Sequence, residues 1–114
     1  MPVKVGGADT LDKWSACLKD PVLGPKILAE AKKTHRMENV EFLNAMKVGD
    51  KKETAYKKYI KEGGDKQVNI SDRLRLKFDD LAKAPKPDWS KAPWGDATKE
   101  ILKLMTSNLT HLDE

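Results

Sequence analysis

Residues 37–49, Met37-Glu38-Asn39-Val40-Glu41-Phe42-Leu43-Asn44-Ala45-Met46-Lys47-Val48-Gly49, decide how the rest of the chain is read. Met37, Val40, Leu43 and Met46 recur at helical spacing and form one apolar face, with Phe42 flanking it. Gly49-Asp50 supplies the stop. Glu38 and Asn39 open the segment, where an asparagine is an ordinary helix cap. The stretch is therefore a helix with a face to bury, and its neighbours have to provide the burial.

Upstream, residues 1–8 carry two adjacent glycines and no periodicity, which predicts a flexible lead-in. Asp9 or Thr10 can cap a helix bearing Leu11, Trp14 and Leu18. Pro21 opens a second helical segment whose buried stripe is read as Val22, Ile27, Leu28 and Ala31, with a break or tight turn at Gly24-Pro25. Downstream, a helix from about Lys51 to Glu62 places Tyr56, Tyr59 and Ile60 on one side. Gly63-Gly64 is expected to end it with a left-handed cap. Gln67-Val68-Asn69-Ile70 reads as an extended linker, and Ser71 as the cap of a helix carrying Leu74, Phe78 and Leu81. Pro85, Pro87 and Pro93 mark a long helix-poor connection holding Trp89 and Trp94. A last helix runs from about Asp96 to Ser107 with Ala97, Ile101, Leu104 and Met105 on one face. No segment alternates with period two for long enough to make a strand. The expectation is an all-α, single small multi-helix bundle over residues 9–114, with Phe42, Tyr59, Phe78, Ile101 and Leu104 in its core.

A chain of 114 residues has room for one modest core. Its charged fraction of 35% suits short amphipathic helices with solvated outer faces. Apolar runs stop at pairs and triplets, far below the ~18 residues of a membrane span. There is no apolar leader segment, and one cysteine, Cys17, cannot build an internal disulfide framework. A cytoplasmic location is the expectation, with peripheral contact at a membrane as an open addition. The net charge of +4 is spread over lysine doublets interleaved with glutamates. That pattern argues for solvated helix faces and against nucleic acid, while contact with an anionic membrane surface stays open.

Enzyme motifs are missing. There is no phosphate-cradling glycine loop, no GxSxG, no HExxH and no CxxC. His35 and His111 lack the spacing of a helical metal pair, and Cys17 reads as a small core residue. No cofactor and no metal are expected. A chain of this kind affects a reaction by binding something that carries its own chemistry.

Three separated segments carry more specific information. The first is Glu38-Asn39-Val40-Glu41-Phe42-Leu43, preceded by Leu18-x-x-Pro-x-x-Gly24 and Ile27-Leu28. The second joins Tyr56-x-x-Tyr59-Ile60 to Val68-Asn69-Ile70 and to Arg75, six residues after the asparagine. The third is Trp94-x-x-Ala97-x-x-x-Ile101-x-x-Leu104-Met105. In order and distance these resemble the regulator of G-protein signalling (RGS) domain. That family shows Glu-Asn-(Leu/Ile)-x-Phe-Trp, then Ile-Tyr-x-x-(Phe/Tyr)-Ile with Val-Asn-(Leu/Ile)-Asp and an arginine. Its third segment is Phe-x-x-Ala-Gln-x-x-Ile-x-x-Leu-Met.

The resemblance implies a monomeric domain with no active site of its own, whose partner is an activated heterotrimeric G-protein α subunit. It implies that Asn69 lies nearest the partner's glutamine and attacking water. Glu38 and Asn39 would contact the switch loops, and Leu104 and Asn108 would form the opposite wall. On that reading Glu38, Asn39 and Asn69 share one exposed patch. The chain departs from the family at several of these positions. Asn108 stands for an aspartate, Leu109 for a serine, Leu112 for an arginine, Leu43 for a tryptophan and Ser71 for an aspartate. The alternative is a domain of the same fold that binds a partner without activating a GTPase.

Overall fold

The computed structural model describes residues 4–49, 51–61, 63–64 and 66–113. The expected stop at Asp50, the expected helix end at Glu62 and residues 1–3 of the lead-in lie outside them. Among the described residues six α-helices follow in order: α1 (Leu11–Lys19), α2 (Leu23–Lys33), α3 (Met37–Val48), α4 (Lys52–Ala55), α5 (Asp72–Ala82) and α6 (Trp94–Leu109). A π-helical turn, Tyr56–Ile60, prolongs α4, and short 3-10 turns occupy Val5–Gly7, Trp89–Lys91 and Thr110–Asp113. No strand occurs among the described residues, and the class is all-α.

Local chemistry sets most helix boundaries. The Thr10 hydroxyl accepts from the Lys13 amide at 3.2 Å, and the Ser71 hydroxyl accepts from Leu74 at 3.4 Å, so both expected caps are in place. Gly49 closes α3 in the left-handed conformation at φ 76°. The expected break at Gly24-Pro25 does not occur. Pro25 falls in the first turn of α2, where an amide hydrogen has no intrahelical acceptor and none is lost. Gly24 is needed for another reason. A Cβ there would come 2.2 Å from the Leu18 carbonyl oxygen, so α1 and α2 meet at a distance only glycine allows.

The core centres on α3, which packs against α1, α2 and α6. It buries Asn39, Val40, Phe42, Leu43 and Ala45, more than one face, while Met37 and Met46 are half-buried. Phe42 meets Tyr59 edge to face with centroids 5.6 Å apart, and Phe78 meets Trp94 likewise at 4.7 Å. Phe42, Tyr59, Phe78 and Ile101 are core residues as expected, but Leu104 is half-exposed. On α2 the buried set is Leu23, Gly24, Ile27 and Ala31. Val22 and Leu28 point to solvent, because the helix starts one residue after Val22 and its inner face is narrower than the sequence stripe.

The fourth helix ends earlier than expected. The Lys61 amide bonds the Tyr56 carbonyl at 2.9 Å, closing a π turn, and Lys61 itself is extended. Gly63 does have a positive φ, but in the turn beyond the helix. Three carbonyls at the wide end are taken up by the returning chain. Lys66 N donates to Lys58 O at 3.0 Å, Val68 N to Tyr59 O at 2.8 Å, and Arg75 Nε to Ile60 O at 2.8 Å. Arg75 Nη2 also donates to Val68 O at 2.8 Å, so one guanidinium on α5 ties the end of the π turn to the linker.

The first and last described segments, Lys4–Ala8 and Thr110–Asp113, are packed. Val5 and Ala8 are fully buried, so the region from Lys4 to Ala8 is not the flexible lead-in expected. The Asp113 carboxylate accepts from the Val5 amide at 2.7 Å and from the Gly6 amide at 3.0 Å, and the buried Cys17 thiol faces the Lys4 carbonyl. The helix-poor connection is held by stacking. Trp89 lies on Tyr56 with centroids 4.8 Å apart, and the Trp94 indole N–H donates to the Trp89 carbonyl at 2.9 Å.

Phe42→Ala is expected to cost about 3–5 kcal/mol by denaturant unfolding, whereas Leu104→Ala costs less, about 1–2 kcal/mol, because Leu104 is only partly buried. Equal losses would contradict the placement of Leu104. Arg75→Leu leaves the Ile60 carbonyl unpaired at a mostly buried site and takes from Val68 O the shorter of its two bonds, for a loss of about 1–3 kcal/mol. Arg75→Lys does not restore it, since one ammonium cannot reproduce the fork. The Tyr56 hydroxyl donates to Asp79, and burial together with that carboxylate pushes its pKa up to about 12. A tyrosine whose folded pKa is raised stabilises the fold below the unfolded value near 10 and loses that contribution as pH climbs towards 12. Phenolate absorbance is expected to show a late phase near pH 12 that Tyr56→Phe removes.

Candidate functional site

The linker before α5 displays one polar side chain from a fixed backbone. Val68 and Ile70 are buried, and Asn69 between them is exposed. Val68 is held at both ends of its peptide, by the Tyr59 carbonyl and by Arg75. On the other side, the Glu100 carboxylate accepts from the Ser71 amide at 2.8 Å and from the Ser71 hydroxyl at 3.1 Å. This short polar bridge joins the linker to α6.

Along α6, Glu100, Lys103, Leu104, Ser107 and Asn108 recur at the spacing of one helix face. With Asn69 they line a cleft of about 430 Å³. Glu100, Lys103 and Ser107 are new relative to the sequence reading. Helical spacing from Leu104 and Asn108 was the signal that could have found them. The Asn108 amide nitrogen donates to the Leu104 carbonyl at 2.7 Å, so the side-chain oxygen is the group left to accept from a ligand. The lining thus offers amide, hydroxyl and ammonium groups around one half-exposed leucine, with a carboxylate already engaged by Ser71. Such a lining suits recognition of a polypeptide segment.

Three of the five residues singled out by the resemblance, Asn69, Leu104 and Asn108, meet in this cleft. The other two do not line it. Glu38 is half-buried in the first turn of α3. Asn39 is 2% exposed and belongs to the interior, so the exposed patch expected of Glu38, Asn39 and Asn69 is not formed. Its amide nitrogen faces the Met105 sulfur at 3.5 Å, while its side-chain oxygen has no hydrogen-bond partner among the described residues. The sequence reading placed Asn39 at a helix opening, where caps are solvated. The helix starts two residues earlier, and position 39 turns inward against α6. Asn39 therefore sits behind the cleft wall.

Leu109 is buried and Leu112 packs partly buried against the core. With the buried Leu43, all three leucines that differ from the RGS pattern are thus used for packing. Among the described residues no group of three or more His, Cys, Asp or Glu side chains comes together as a metal site. No described helix is long and apolar enough to cross a membrane. No protein-family model, no characterised protein and no solved structure matches the chain.

Proposed function

We propose that this domain binds the switch regions of an activated heterotrimeric G-protein α subunit through the α6 cleft and speeds GTP hydrolysis there. The observation that supports the reading is the convergence of Asn69, Leu104 and Asn108 on one cleft. Asn69 comes from the linker before α5, while Leu104 and Asn108 lie one turn apart on α6, and all three are positions that the resemblance to RGS domains singles out. The α subunit brings its own arginine and water-orienting glutamine, and the domain contributes no catalytic group. Asn69, displayed from a pinned backbone, would favour the switch arrangement of the transition state over that of the ground state. Differential binding of this kind lowers the barrier. Asn39 would act indirectly, as a positioning residue that sets α6 against α3.

One observation favours the alternative, a partner-binding domain without GTPase activation. Asn108 is an amide where the family has a carboxylate, and Leu112 sits against the core where an arginine would support it. The acceptor at this wall lacks charge-assisted strength.

Single-turnover GTP hydrolysis by a panel of α subunits, with and without the protein, separates the two readings. Acceleration is the expected result, and no effect on any class would leave only the binding domain. Asn69→Ala is expected to lower the acceleration several-fold to about tenfold, the worth of a neutral hydrogen bond made mainly in the transition state. Its melting temperature stays that of the parent, because the side chain is exposed.

A further inference from the structure

A second concave surface lies on helices that do not contribute to the cleft. Leu18 and Lys19 of α1, Leu28 of α2, and Asn44, Lys47 and Val48 of α3 surround a groove of about 430 Å³. Its apolar residues are ones the fold leaves unburied. Leu28 is 39% exposed and Val48 73% exposed, two of the four large hydrophobic residues that stand in solvent among the described residues, and Leu18 beside them is only half-buried. They come from three different helices, so their apolar surface forms a trough and not a ridge on one helix. Among the described residues the charged groups of the lining are Lys19 and Lys47, with no carboxylate beside them in it.

We infer that this groove docks an acidic amphipathic helix of a partner protein. Two or three apolar side chains on one face of such a helix would cover Leu18, Leu28 and Val48, and glutamates or aspartates along its flanks would meet Lys19 and Lys47. Lys47 is already paired with Asp12, but that pair is exposed on both sides. Exposed ion pairs contribute little, so a partner carboxylate can replace Asp12 without appreciable loss. Asn44 adds a hydrogen-bonding group at the mouth. The chain's net charge of +4 strengthens attraction for an acidic partner. It also disfavours a second copy, which would bring the same two lysines to the groove. The inference does not rest on GTPase activation, since the groove and the cleft share no lining residue.

The test uses the isotope-labelled chain and two synthetic helical peptides of about 15 residues, with leucines on one face and either glutamates or lysines on the flanks. The glutamate peptide is expected to bind saturably and to shift the backbone resonances of α1, α2 and α3 around Leu18, Leu28 and Val48. The lysine peptide is expected not to bind. Leu28→Glu and Val48→Glu each weaken binding by about tenfold, the worth of one apolar side chain covered by a partner. Both sites are exposed, so the melting temperature stays unchanged. The double variant Lys19→Glu, Lys47→Glu should reverse the preference between peptides, and raised salt should weaken the parent interaction. Equal binding of the two peptides, shifts confined to the α6 cleft, or indifference to Leu28→Glu and Val48→Glu would overturn the inference. So would saturation of the same residues by dodecanoate or by self-association with no response to the glutamate peptide.

Discussion

The Arg75 guanidinium is the interaction on which the display of the cleft depends. A π turn leaves the carbonyls of Lys58, Tyr59 and Ile60 facing the chain that follows it, and two of these are met by backbone amides. The third is met only through Arg75, whose second bond, to Val68 O, fixes the residue before Asn69. The side chain is 13% exposed, so its charge is largely withdrawn from water and is compensated by two carbonyl dipoles, with Asp72 further off at 3.8 Å. Planarity matters here as much as charge. The two acceptors sit at separate points of one fork, and no shorter or rounder cation can reach both. Because the linker has no helix or strand ladder of its own, this fork and the Glu100 bridge are what give Asn69 a defined position.

Helix α6 carries two requirements on one segment. Ala97, Ile101 and Met105 face the core, while Glu100, Lys103, Leu104, Ser107 and Asn108 line the cleft. Leu104 lies on the border, which is why apolar periodicity alone assigned it to the interior. Asn39 shows the opposite displacement, a polar residue read as surface that packs behind Met105. A bond from an amide to a thioether sulfur is weak, and the Asn39 side-chain oxygen is left without a partner. A leucine in that place would bury more apolar surface with no unpaired group. The asparagine is therefore a cost in stability located directly beneath the cleft wall, the pattern found where a position answers to function as well as to packing.

Much of the architecture was legible because single residues enforce it. Thr10 and Ser71 cap their helices, Gly49 ends α3, and the 37–48 pattern makes a helix with a face to bury, though the structure buries more than that one face. The misreadings have physical causes of the same kind. Gly24-Pro25 looks like a break, yet proline is harmless in a first turn and the glycine serves helix contact. Gly63-Gly64 looks like the helix end, yet the π turn closes three residues earlier. Val5 and Ala8 look idle because the aspartate that holds their segment, Asp113, is more than a hundred residues away. Of the cleft, Asn69, Leu104 and Asn108 were legible through resemblance, but Glu100, Lys103 and Ser107 needed the helix face to be drawn out.

Leu109 and Leu112 show how far the fold constrains the cleft chemistry. Both belong to the end of α6 and the turn after it, where the chain must cover the core and meet the Val5–Gly7 turn at the same time. Leu109 is almost fully buried, so a serine there would remove apolar contact without reaching the cleft. An arginine at 112 would have to leave the core side altogether to support a group on the stripe. With both positions committed to packing, a charged acceptor at 108 would stand alone on an exposed helix face. An amide, which anchors itself by donating to the carbonyl four residues back, keeps its oxygen in place without a supporting cation. The amide at 108 and the leucine at 112 are thus coupled, and the polar wall of the cleft follows from how the C-terminal end of the core is closed.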